Sequence, residues 1–121
     1  MTTIDVDLSN DPTGATPAGT GGGYKPLALT IAVGAMVRFT NSDSFHHTAT
    51  SIGGATTFPS VYPFTGSAVN QSGSTLSGGF SSGSLAPGSS SQALLADKAG
   101  TYLFGCFFHY GTPMRATIVV Q

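Results

Sequence analysis

Charge is scarce in this chain of 121 residues. Lys, Arg, Asp and Glu make up 7% of it, 4 basic against 5 acidic, for a formal net charge of −1. A protein that neutralises phosphates needs clustered Lys and Arg, so nucleic acid is excluded as a partner. Strong electrostatic steering toward an anionic membrane or a highly charged protein is excluded on the same ground. Cysteine occurs once, at Cys106, which rules out a disulfide within the chain and leaves the redox compartment undecided. No apolar run approaches the ~18–20 residues that cross a bilayer as a helix. The opening MTTIDVDLSND has neither a basic segment nor an apolar one, so it does not read as a signal peptide. A sustained i, i+3, i+4, i+7 apolar pattern is also missing, which argues against an all-helical protein. Disorder is excluded in turn by 40% hydrophobic residues and β-branched runs.

What the chain does have is alternation of period two. Ile4, Val6 and Leu8 alternate with Asp5 and Asp7, the pattern of a half-buried strand. In YKPLALTIAVG, residues Leu27, Leu29, Ile31 and Val33 share one face, and in AMVRFTN Val37 and Phe39 oppose Arg38. HTATSI, QALLAD, GTYLFGC and MRATIVVQ complete the candidate strands. DPTGATPAGTGGG is too rich in Pro and Gly for a helix, and Asn41-Ser42-Asp43, Ala86-Pro87-Gly88 and Lys98-Ala99-Gly100 mark turns. Many short strands between Gly/Pro turns predict an all-β sandwich, and the length suits one domain over residues 1–121. Residues 52–84 form a long Gly/Ser-rich middle loop. Its Phe58, Val61, Tyr62 and Phe64 either pack the loop onto the sandwich edge or shape a docking face.

The segment GTYLFGCFFHYGTPM gathers the one cysteine, a histidine and a methionine at the spacing C-x2-H-x4-M, through Cys106, His109 and Met114. Upstream, VGAMVRFTNSDSFHHTATS supplies His46 and His47. Taken singly, the cysteine reads as a buried small hydrophobe, a nucleophile, a crosslinker or a metal ligand, and the methionine as packing. Together the residues favour a metal. Two imidazoles and a thiolate in a trigonal set, with a distant thioether on the axis, are the donors of blue-copper electron-transfer sites. Methionine in the fourth place argues against structural zinc. A cysteine protease would need its thiolate activated by a histidine with a third orienting group; His109 could serve as the base, but no oxyanion-hole arrangement is evident.

These segments resemble the cupredoxins, the small blue copper proteins of the plastocyanin, pseudoazurin and amicyanin type. AGTYLFGCFFHYGTPMRATIVV resembles their ligand loop and last two strands, and GSLAPGSSSQALLADKAGTY the stretch before the Cys strand. VGAMVRFTNSDSFHHTATS resembles their Gly-x-x-Val-x-Phe-x-Asn stretch before the first ligand histidine. The likeness spans most of residues 24–121 and fails in the middle loop. It implies a Greek-key β-sandwich or barrel of about seven to eight strands, and one copper ion, Cu(I)/Cu(II), held by His47, Cys106, His109 and Met114. Strand alternation alone admits either histidine of the pair, but the family's Pro-His places His46 at the proline and His47 at the ligand.

The resemblance implies a one-electron carrier on a mononuclear type 1 site, not an enzyme. The alternatives are a copper delivery or storage protein, or a detached cupredoxin domain of a copper oxidase or nitrite reductase. It further implies redox partners docking on an apolar patch around His109, formed by Phe107, Phe108, Tyr110 and Pro113, in a monomer. The compartment implied is the periplasm, extracellular space or thylakoid lumen. Phe108 stands where many relatives have proline, so its amide becomes a donor to the Cys106 sulfur, beside that of Thr48. Gly111 and Pro113 are expected to set the turn between His109 and Met114.

Overall fold

The computed structural model describes all 121 residues. Twelve strands and one short 3-10 turn (Gly66–Val69) make up the regular structure. The strands are β1 (Thr2–Val6), β2 (Gly14–Thr16), β3 (Gly19–Gly21), β4 (Tyr24–Lys25), β5 (Ala28–Ile31) and β6 (Met36–Asn41), followed by β7 (Thr50–Ile52), β8 (Gln71–Ser72), β9 (Ser81–Ser82), β10 (Leu94–Leu95), β11 (Gly100–Gly105) and β12 (Arg115–Val120). One sheet runs β10-β6-β1-β4, a second β5-β12-β11-β7-β9-β8, and β2 and β3 pair alone. The β1–β6 and β5–β12 pairs are parallel and the remaining pairs antiparallel.

The alternation works as the pattern predicts in β1 and β6. Ile4, Val6, Val37 and Phe39 are fully buried while Arg38 faces out. It also holds from Leu27 to Ile31, where Leu27, Leu29 and Ile31 turn inward between exposed Ala28 and Thr30, although this segment does not form one strand with Tyr24–Lys25. Pro26 has no N–H to give a ladder, and the chain there leaves one sheet for the other, so Tyr24–Lys25 pairs with β1 and Ala28–Ile31 with β12. Val33, expected on the buried face, lies beyond β5 and is 52% exposed. HTATSI joins a ladder only from Thr50 onward, with His47 making a single bridge to Leu85, and QALLAD contributes only Leu94–Leu95 to a ladder. The Pro/Gly stretch after β1 is the β2–β3 hairpin.

A cluster of 18 buried residues joins the two large sheets. Its centre is aromatic: Tyr24 meets Phe104 edge-on at 4.8 Å between ring centroids, and Phe104 meets Phe39 at 5.1 Å. Cys106 and Met114 belong to this same cluster. The middle loop adds β8, β9 and the 3-10 turn beside β7. Its Phe58 and Phe64 pack on a smaller cluster of Ala18, Ile52, Leu103 and Tyr110.

Register decides where the chemistry can be. Gly105, the last residue of β11, stands opposite Thr50 at the start of β7 and Arg115 at the start of β12. The residues just outside those strands, His47 to Ala49, Cys106 and Met114, therefore converge at one end of the six-stranded sheet.

Candidate metal centre

Cys106 is fully buried at the end of β11, and its Sγ lies 3.7 Å from Nδ1 of His47 and 3.7 Å from Nδ1 of His109. The donor atoms of the three residues all fall within 4.8 Å of one another. The two imidazoles meet edge to face with centroids 5.0 Å apart. The fold thus brings together residues 59 positions apart in sequence. His46, by contrast, is exposed to solvent.

The loop from Cys106 to Met114 closes on itself through its backbone. Cys106 N–H donates to Met114 O at 3.0 Å, and the amides of Thr112 and Met114 both donate to His109 O at 3.0 Å. Met114 is fully buried and packs its Cγ and Sδ against the backbone of Gly23. Gly23 has φ +81°, and a Cβ there would overlap Met114 Cγ and lie 3.2 Å from Sδ. Gly105 is needed for closeness as well, since a side chain would come within 2.9 Å of the Tyr110 ring. Gly111, expected to shape the turn, has neither requirement: its φ is ordinary and a Cβ would meet open space.

His47 is held from several directions. Its backbone forms a two-way bridge with Leu85, N–H to O at 3.2 Å and O to N–H at 2.7 Å. Asn41, buried at the end of β6, donates to Phe45 O at 2.8 Å and Leu85 O at 2.9 Å. On the ring itself, Nε2 is 2.8 Å from Oδ2 of Asp43, so Nδ1 is the nitrogen turned toward Cys106.

The sulfur is also engaged from behind. Thr48 N–H donates to Cys106 Sγ at 3.4 Å, while Tyr24 O–H donates to Thr48 O at 2.6 Å and steadies that peptide from the core. Thr48 Oγ1 accepts the Phe107 amide at 2.9 Å. Burial pushes the Cys106 thiol up, opposed by the Thr48, Phe108 and His109 amides and the Thr48 hydroxyl. Of those amides, only Thr48's makes a hydrogen bond to sulfur within normal limits; the Phe108 amide acts as a weaker dipole. Burial, and next the neighbouring His47, lower the pKa of His109, with Asp43 pulling the other way. For Asp43, burial favours the acid form, but hydrogen bonds from His47, Leu8 and Ser44 and the His47 charge outweigh it, holding the pKa at about 2.

No protein-family model and no curated protein matches the sequence. Solved structures do. A purple cupredoxin from Nitrosopumilus maritimus superposes with a TM-score of 0.63 at 24% identity, over 100% of both chains. The oxidized form of plastocyanin from Dryopteris crassirhizoma gives 0.60 at 19% identity, over 99% of this chain and 100% of that one. A reduced amicyanin mutant gives 0.59 at 18%, over 99% and 81%.

The chain has the cupredoxin fold.

On this cupredoxin fold the donor set suits a single soft-to-borderline ion: one thiolate, two imidazole nitrogens facing it, and a buried thioether beside them. Cys106, His47 and Met114 are all fully buried. His109 is the half-buried member, and its neighbours divide. Phe108 is 45% exposed, Phe107 and Pro113 are half-buried, and Tyr110 is not on the surface as expected. Tyr110 is 4% exposed, with its O–H donating to Pro59 O at 2.6 Å and the Arg115 guanidinium 5.1 Å from its ring centre. The ring fills the smaller core and the long loop covers it. Sequence reasoning missed Asp43, Gly23 and Tyr24 and did not connect the site loop with Tyr62. The last donates to Phe107 O at 2.6 Å and ties the middle loop to the site loop.

Proposed function

We propose that this protein is a one-electron carrier, not an enzyme, and that His47, Cys106 and His109 would hold one copper ion with the Met114 thioether as a fourth, weaker donor. The observation that carries the reading is the convergence of one thiol and two Nδ1 atoms, each 3.7 Å from the sulfur, in a buried pocket. When bound there, copper supplies a couple that gains or loses a single electron. The protein's part is to make that change cheap. Ligands fixed by strand ends and backbone hydrogen bonds keep one arrangement in both oxidation states, and the closed pocket keeps water from reorganising with them.

Burial also separates this reading from copper delivery. A donor protein needs ligands that an incoming chelator can reach, whereas three of these four are fully buried. The exposed edge of His109, with Phe108, Phe107 and Pro113 around it, is the face on which redox partners would dock. Such encounters bury less than ~1,200 Å² in total. With 4 basic and 5 acidic residues overall, association should depend weakly on ionic strength. The chain would act as a monomeric domain of residues 1–121 in the periplasm, extracellular space or thylakoid lumen, the setting that the resemblance implies.

Titration with Cu(II) tests the reading. We expect an intense thiolate-to-copper absorption that ascorbate bleaches and that Cys106→Ser abolishes. Met114→Leu should keep the colour and raise the potential. A pale band insensitive to Cys106→Ser would refute a type 1 site.

A further inference from the structure

Resting on the copper reading above, we propose that Asp43 is a positioning residue that selects the ligand tautomer of His47 and sets the reduction potential low through its charge. A carboxylate only accepts hydrogen bonds, so in the neutral imidazole the shared proton sits on Nε2, 2.8 Å from Oδ2. The lone pair is thereby left on Nδ1, the nitrogen 3.7 Å from Cys106 Sγ. A backbone carbonyl would fix the tautomer equally well. Only a carboxylate adds negative charge to the far side of the ring, which makes the imidazole a stronger donor and favours the more positive metal state.

Asp43 is built for this post. Its Oδ2 also accepts the Leu8 amide at 2.9 Å, its Oδ1 accepts the Ser44 amide at 2.7 Å, and its own N–H donates to Asn41 Oδ1 at 2.9 Å. Two chain segments, Leu8 and residues 41–47, thus fix this carboxylate, and its side chain is only 13% exposed while the His47 side chain is fully buried. Poor solvation preserves the strength of the interaction. Asp43 also lines a shallow surface hollow with Asp7, Leu8, Ser9, Pro12 and Phe45.

Two measurements test the proposal, one without metal. In the metal-free protein, ¹⁵N shifts of the His47 ring should show Nε2 protonated and Nδ1 bare; the opposite tautomer overturns the proposal. In the copper protein, Asp43→Asn keeps the size and an acceptor oxygen but removes the charge. Its Cu(II) affinity should fall about tenfold relative to Cu(I), within the range for outer partners of metal ligands, raising the midpoint by about 59 mV for a one-electron couple. A midpoint equal to that of the unsubstituted protein overturns the charge effect. Should the copper protein prove colourless, the electron-carrier reading falls, while the tautomer measurement still judges the pairing of Asp43 with His47. Should Asp43→Asn fail to fold, Asp43→Ser, which also removes the charge, carries the same midpoint test.

Discussion

The two histidines stand in opposite kinds of surroundings. Residues 41–48 hold His47 in a lattice of hydrogen bonds drawn from β6, the Leu85 bridge and Asp43, with the ring fully buried. Residues 106–114 present His109 on a short self-closed loop; the ring is half-buried among aromatics and its Nε2 has no partner in the protein. One region is polar and clamped, the other apolar and open on one edge. The contrast separates two tasks that a carrier must reconcile. A ligand that sets the energy of the electron is best insulated, and a ligand that passes the electron on must reach the surface.

The comparison can be broken most severely at Gly23, outside both regions. Gly23→Ala puts a side chain at φ +81° and into Met114, which should cost about 2–5 kcal/mol in chemical denaturation. It should also disturb the thioether without touching His47. Asn41→Ala attacks the clamped region instead. It strands the Phe45 carbonyl and the Asp43 amide and takes one of two donors from the Leu85 carbonyl, a loss of about 3 kcal/mol by the usual cost of unmade buried hydrogen bonds. Near-native stability in Asn41→Ala would mean that the clamp is not what holds His47.

Acid should also act on the clamped side first. Asp43 has a folded pKa of about 2 against an ordinary 3.8. The stability it contributes is fully present above pH 3.8 and is lost as the pH falls toward 2. Acid unfolding of the metal-free protein should therefore lose a component in that window in Asp43→Asn, and an unchanged curve would contradict the sign. A smaller effect is expected on the open side. Phe108→Pro removes an amide that opposes the rise in the Cys106 pKa, so the thiolate donates more strongly and the midpoint potential should drop, by less than the ~59 mV of a tenfold affinity change. An unaltered potential would mean that the Thr48 amide alone governs the sulfur. Smallest of all, His46→Ala and Gly111→Ala should leave colour and stability within about 0.5 kcal/mol of the parent, as surface changes do. Bleaching in His46→Ala would reverse the choice between the paired histidines.

The sequence carried the open region almost whole and the clamped region only in part. The C-x2-H-x4-M spacing is local, so a loop joining two β-strands brings those donors together and the motif can be read along the chain. The clamp is assembled across the fold. Asp43 faces His47 because a turn pinned by Asn41 bends it back, and an acidic residue in Asn-Ser-Asp looks like any polar turn. Gly23 and Tyr24 meet the site through contacts spanning 24 positions or more, which no period reveals. The apolar residues of the middle loop divided as their surroundings require. Phe58 and Phe64 pack inward, whereas Val61 and Tyr62 remain 77% and 49% exposed. Tyr110 was misplaced because an aromatic beside a surface histidine looks exposed until the loop covering it is seen.

The shared level at which β7, β11 and β12 stop has a consequence for remodelling. Lengthening or shortening the segment 107–113 leaves the ladders untouched, so grafted endings of different size should be accommodated there provided they keep His109 at the sulfur and the Tyr110 ring in the smaller core. Removing one residue inside β11 is another matter. Side chains would exchange faces along the whole strand, Phe104 would leave the aromatic centre, and the thiol would turn out of its pocket.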